Sequence, residues 1–361
     1  MRRRVLSIAT VLAAVTAAAG ASAPAASTAS TASAASQAKA PRFVQLGDSY
    51  SSGNGAGNYT EKNCWRSPNN YGARVARRAG ASYTNAACSG GVVADILNPR
   101  DIGSAKWVTR TYRVDGSAVD ARGQWLKQAQ ANNLCGTPAQ PDFSYRYTFS
   151  SSSGVGSLYT ATVKCQLVAA PQINSVNTST DAVFLTVGGN DIGFTSILTQ
   201  CLALRSASGC KSKIDAANAS LPQMKQQTKD ALRAVQARSG GRAQVYLLGY
   251  PNLLNTDSYR LGATYDAGQA LATLQRRGDA LQRAGMKELD SSARGKGGFT
   301  FVDVKPDWDG FTHGIDPRPI ADNSNAWLVP LFGVGREFSE WVHPTPAGWG
   351  ASALALYAAL D

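Results

Sequence analysis

Histidine is nearly missing from this sequence: 361 residues contain His313 and His343 and no others. The six cysteines never form a Cys-x-x-Cys pair. Zinc sites draw their ligands from closely spaced cysteines and histidines, so this pattern argues against a metal centre, and no cofactor motif suggests another. Charged residues are also sparse, at 17%. The basic ones are scattered, as in "ARRAG" and "LQRRGDALQR", and form no stripe of the kind that binds nucleic acid. No long membrane-crossing run is present: the apolar stretch Val5–Ala19 falls short of the roughly 20 residues a helical span needs.

That short stretch has a different meaning. It follows Arg2, Arg3 and Arg4 and leads into small residues ending "GASA", the three parts of an export signal, cut most simply after Ala23. Residues 24–40, rich in Ala, Ser and Thr, cannot build a core and read as a leader or linker. The folded part is expected from Pro41 onward, as one domain with an insertion at about 101–165. Subtracting Arg2, Arg3, Arg4 and Lys39 from the net charge of +12 leaves +8 on that part. This excess allows transient contact with anionic lipid surfaces. On an exported chain the even set Cys64, Cys88, Cys135, Cys165, Cys201 and Cys210 predicts disulfides. Sequential pairing is the simplest of the fifteen possible arrangements.

From Pro41 the pattern alternates between strand and helix. Phe43–Leu46, Ser82–Ala87, Asp181–Val187, "AQVYLLG" and "FTFVDV" are strand-like; "DAVFLTV" is a continuous apolar run of the kind buried on both faces. Between them lie helical stretches: "NYGARVARRAG", a short one at Val92–Leu97, Ser220–Arg238, Ala270–Ala293 and the closing Pro346–Leu360. Asp101 to about Lys164 shows no period and reads as loop-rich. Strands alternating with helices predict a parallel sheet covered on both sides.

In such a sheet, chemistry gathers in the loops beyond the strand carboxyl ends. Three of those loops read "GDSYSSG", "NAACSGG" and "GGND", and "EWVHPTPAGW" precedes the last helix. Each alone is ordinary turn chemistry. Together, in this order, they supply a hydroxyl nucleophile, donors for an oxyanion and a histidine base, which is what acyl transfer requires.

These four segments resemble the sequence blocks of the SGNH hydrolases, also called GDSL esterases and lipases, with Tyr50 where the name-giving motif has Leu. The resemblance runs from Arg42 to Asp361, and the secreted three-disulfide actinobacterial esterases look most similar, including the stretch "CWRSPNNYG". It implies a flavodoxin-like α/β/α sandwich and a serine esterase without metal or cofactor. By position in the blocks it implies Ser49 as nucleophile, with Asp48 beside it structural. It implies the N–H groups of Ser49 and Gly90 and the side chain of Asn190 as oxyanion donors, with Gly91 adjacent to Gly90. His343 matches the base, and His313, in "DGFTHGIDP", is expected on a substrate lip.

The family's usual Asp three residues before the histidine is here Glu340. Glu340 is therefore one candidate to orient His343; a main-chain carbonyl, which some relatives use, is the other, with the lean toward Glu340. Trp65, Trp308, Phe311, Trp327 and Phe332 are the candidates for an apolar acyl site. The reading that follows is a secreted, monomeric esterase or lipase acting on small-molecule or lipid esters. The alternative readings are a carbohydrate O-acetyl esterase on the same machinery and a catalytically silent binding domain on an esterase-like scaffold.

Overall fold

The computed structural model describes residues 39–113, 118–155, 157–293, 295, 297–318 and 321–360. The expected export signal lies outside them. Residues 40–361 form one compact unit.

In chain order the unit begins with β1 (Arg42–Gly47), the short helix α1 (Ser49–Ser52), α2 (Tyr71–Arg78) and β2 (Ser82–Asn85). An excursion follows, with β3 (Arg100–Asp101), β4 (Lys106–Arg113), α3 (Ala118–Ala131), β5 (Phe143–Val155) and β6 (Leu158–Ala169). The chain then forms β7 (Ala182–Thr186), α4 (Phe194–Leu198), α5 (Ala207–Arg238) and β8 (Gln244–Leu248). It closes with the small pair β9 (Arg260–Leu261) and β10 (Tyr265–Asp266), then α6 (Ala267–Ser292), β11 (Phe299–Val302) and α7 (Pro346–Leu360).

The central sheet has the order β2-β1-β7-β8-β11, and every pairing is parallel. Counted along the chain this is 2-1-3-4-5, the flavodoxin-like order. Period-two alternation divides its side chains between two cores. Phe43, Phe184 and Tyr246 pack on one face with Ile214, Leu221, Leu271 and Trp349. Val44, Leu46, Val183, Leu185, Val245 and Leu247 pack on the other with Leu232, Val235, Met286 and Leu289. Apolar burial on both faces explains the unbroken hydrophobic run in β7.

The excursion is not loop-rich, as its sequence suggested. β4 and β5 flank β6 in an antiparallel sheet, with β3 extending the β4 edge. Its own small core holds Tyr112, Trp125, Ala129, Ala161 and Val163. Cysteines pair sequentially, Cys64–Cys88, Cys135–Cys165 and Cys201–Cys210, as expected. The first bridge ties the loop after α1 to the loop after β2, and the second fixes the excursion to itself.

A parallel sheet with this order has its reversal point between β1 and β7, and a crevice opens there beyond the carboxyl ends. Both strands end in the predicted motifs.

Candidate active site

Ser49 is the first residue of α1, immediately beyond β1. Asp48 caps that helix, its carboxylate accepting from the Tyr50 N–H at 2.9 Å and from Thr186 Oγ1 at 2.6 Å. Its other oxygen accepts the Tyr250 hydroxyl. Burial pushes the Asp48 carboxyl up to about 6, although the bonds from Thr186, Tyr250 and the Tyr50 N–H pull it down. Asp48 thus anchors the serine turn to β7 and to the loop after β8, the structural part expected of it.

Gly90 and Gly91 occupy the loop after β2. Gly90 has φ +74°, in the region that favours glycine. A β-carbon on Gly91 would stand 3.0 Å from the Gly47 oxygen and 3.5 Å from the Asp48 Cα, so only glycine lets this loop lie against the serine turn. The Gly91 N–H donates to Cys88 O at 2.9 Å. Among the described residues the N–H groups of Ser49 and Gly90 have no acceptor. That distinguishes Gly90 from its neighbour, whose N–H is already engaged.

Asn190 lies just after β7, and its Nδ2 donates to Gly91 O at 2.8 Å, joining the second and third loops. An amide nitrogen has two hydrogens, so one bond leaves a second available. Flanking bonds fix the turn: Gly189 N–H donates to Tyr250 Oη at 3.2 Å, and Asp191 accepts from Val93 N–H at 3.1 Å.

His343 precedes α7. Its Nδ1 bonds the Trp341 carbonyl at 2.8 Å, and a carbonyl only accepts, so Nδ1 carries the proton and Nε2 is the free base. A bond from a ring to a carbonyl two residues back needs a sharp reversal between them. Val342 supplies it with φ +63°, a conformation costly for a β-branched residue. The reversal is held on both sides: Val342 N–H donates to Val329 O at 2.7 Å, and the Tyr50 hydroxyl donates to Val342 O. The Tyr50 ring also lies 5.0 Å from the imidazole, centre to centre. Asn54 Nδ2 adds a bond to Ser339 O at 2.6 Å, closing the serine loop against the histidine loop. Burial lowers the His343 pKa to about 4, against smaller upward pulls from the Trp341 and Glu340 backbone and the Glu340 charge.

Glu340 does not take the place expected of it. Its carboxylate accepts the Tyr59 hydroxyl, the Glu337 N–H at 3.0 Å and Arg336 Nη1 at 3.4 Å. It braces the turn Phe338–Glu340 while Nδ1 of His343 is engaged by Trp341 O. Of the two candidates, the Trp341 carbonyl is the one bonded to Nδ1, and the Glu340 carboxylate is engaged by other partners. His313 stacks on Trp327 at 3.5 Å and is half-buried, bonded to Asn325 O.

The five aromatic candidates do not line the cavity beside the serine. The chamber that opens beside Ser49, Tyr50 and Asn190 is lined by Ile192, Phe194, Ile197, Leu221, Met224 and Leu271, among others, and by none of Trp65, Trp308, Phe311, Trp327 or Phe332. Trp308 is buried against α7 through Ser352. Leu271 and Leu274 follow the helical period of α6 and read in the sequence simply as core; Trp341 acts through a backbone oxygen, which leaves no side-chain signature.

The family model for the GDSL-like lipase/acylhydrolase matches residues 43–356. A lipase of Streptomyces rimosus is 27% identical over 234 residues, which are 64% of this chain but 58% of that protein's length. Lipase 1 of Streptomyces coelicolor is 25% identical over 235 residues, 64% of this chain and 76% of that protein. A crystal structure of an extracellular lipase from Streptomyces rimosus has the same fold, with a TM-score of 0.57 at 24% identity, covering 89% of this chain and 100% of that one. With a family match that spans nearly the whole described chain and a flavodoxin-like sheet, the chain belongs to the GDSL-like lipase/acylhydrolase family.

Proposed function

We propose that the protein hydrolyses carboxylic esters through a Ser49–His343 dyad. His343 Nε2 takes the Ser49 hydroxyl proton as Oγ attacks the ester carbonyl. The oxyanion that forms is held by the N–H groups of Ser49 and Gly90 and by Asn190 Nδ2. Collapse breaks the bond to the alcohol, which leaves with the proton carried by His343. Water then attacks the acyl-enzyme, giving a proton to His343, and the Ser49–acyl bond breaks to release the acid as His343 returns that proton to Ser49 Oγ. The observation that carries this reading is the Trp341 carbonyl on Nδ1, which leaves the basic nitrogen for the serine turn.

The apolar chamber favours a fatty acyl ester over a sugar acetate. Gln275 and Gln282, the amide side chains in its wall, are bonded to Pro251 O and Val187 O, each at 2.8 Å, and Asp279 is paired with Lys305. The wall therefore offers methylene-compatible surface. Phe332, Val334 and Phe338, exposed on the loop leading to His343, support transient contact with a lipid surface. The disulfides and the N-terminal sequence support export with removal of residues 1–23.

A p-nitrophenyl ester panel from acetate to dodecanoate, run beside Ser49→Ala, tests the proposal. Ser49→Ala is expected to lower kcat by about 10⁴ or more with an unchanged circular dichroism spectrum. Wild-type turnover in the folded variant would remove the assignment.

A further inference from the structure

Helix α6 contains three glycines, each of which weakens a helix relative to alanine, and they are not equivalent. A β-carbon on Gly268 would stand 2.4 Å from the Tyr259 backbone nitrogen, so a neighbouring chain excludes it. One on Gly285 would stand 3.4 Å from Lys229 Cγ and 3.6 Å from Lys225, on the face that meets α5. At Gly278 the nearest atom would be Leu221 Cδ2 at 3.8 Å, an ordinary contact, with no other atom inside 4 Å. Neither backbone approach nor helix packing accounts for glycine there.

What Gly278 faces is the chamber beside Ser49. Leu271, Leu274, Gln275, Gly278, Asp279 and Gln282 recur at helical spacing and turn one face of α6 toward it. The eleven helical steps from Leu271 to Gln282 give that face a length of about 16 Å at the helical rise. Leu221 and Met224 on α5 form the facing wall. Gly278 lies midway along, between Leu274 and Gln282, where a side chain would cross toward Leu221.

We propose that this chamber receives the acyl chain of the ester and that Gly278 is its specificity-determining residue, its missing side chain being the space that a long chain occupies. The inference rests on the acyl-transfer reading and names its substrate class: esters of medium- and long-chain fatty acids. Such a chain leaves water for an apolar wall whose polar members are already bonded, whereas an acetyl group would leave the far half of the chamber unfilled.

Hydrolysis of p-nitrophenyl acetate, butyrate, octanoate and dodecanoate by the wild-type chain, Gly278→Ala and Gly278→Leu reads this directly. The ratio of kcat/KM for dodecanoate over acetate is expected to fall at least about tenfold in Gly278→Leu and less in Gly278→Ala. Gly278→Ala is also expected to raise Tm, since its methyl meets only an ordinary contact and removes a helix glycine. In Ser49→Ala protein, dodecanoic acid is expected to raise Tm, and Gly278→Leu to abolish that shift. An unchanged ratio in a folded, active Gly278→Leu enzyme, or in Gly278→Ala should the leucine variant not fold, overturns the inference and leaves ester hydrolysis standing. A wild-type chain that hydrolyses no ester overturns the functional reading instead. The Tm shift needs no turnover, so its absence in Ser49→Ala protein would overturn the acyl chamber on its own.

Discussion

The serine side and the histidine side of the site are built by opposite means. Ser49 stands at the end of a buried central strand, and bonds reaching far along the chain fix its turn: Asp48 to Thr186 and Tyr250, and Ser51 Oγ to Thr186 and Tyr71 at 2.8 Å each. His343 stands on a loop outside the sheet, aimed by a carbonyl two residues away through a strained valine. The sheet supplies position on one side, and local backbone geometry supplies it on the other. Tyr50 joins them, one residue from the nucleophile and bonded to the carbonyl of Val342.

This difference has a consequence for pH. A base oriented by a neutral carbonyl and enclosed by protein has little to stabilise its charged form, and burial takes His343 down to about 4. The acid limb of kcat/KM is expected near pH 4, so that activity at pH 4.5 stays within about twofold of its plateau; an ordinary histidine near 6.5 would already have lost about 100-fold. A pH–rate profile with folding followed by circular dichroism decides between them. Stability is pulled both ways over the same range. His343, with its pKa lowered, adds stability as pH rises from about 4 to 6.5; Asp48, raised to about 6, loses stability as pH rises from about 4 to 6.

Breaking the link between the two sides has a smaller effect. Tyr50→Phe keeps the ring beside the imidazole and removes the hydrogen bond to Val342 O. One such bond contributes about 0.5–1.5 kcal/mol, so kcat is expected to fall up to about tenfold with KM for a short ester little changed. An unaltered kcat would show that the αL turn at Val342 holds without Tyr50.

Legibility in the sequence follows the same division. The central strands could be read because burial on both faces demands unbroken apolar runs, as in Val183–Val187. Ser49, Gly90, Asn190 and His343 could be read because each loop follows a sheet strand or precedes the last helix. The excursion was illegible because its strands are mostly solvated: β5 carries "SSSS", and the Thr109–Thr162 and Thr111–Thr160 hydroxyl pairs are exposed, so its pattern looks like loop. Helix α5 begins at Ala207, thirteen residues before the sequence pattern suggested, and runs through Pro222. Proline removes one helical bond, and the burial of Ile214, Ala217 and Leu221 together with the Cys201–Cys210 bridge offsets that loss. Glu340 stands out in sequence because its position matches an acid, while the group bonded to His343 Nδ1 is a backbone oxygen common to every residue type.

The smallest expected effect tests the central claim most directly. Glu340→Gln removes a charge while keeping its shape, and the Trp341 carbonyl on Nδ1 survives the change. Beside an inactive His343→Ala control, kcat of Glu340→Gln is expected to remain within about threefold of wild type. A loss approaching about 10⁴, the cost of removing a carboxylate that orients a catalytic histidine, would contradict the carbonyl-oriented dyad and return Glu340 to the mechanism.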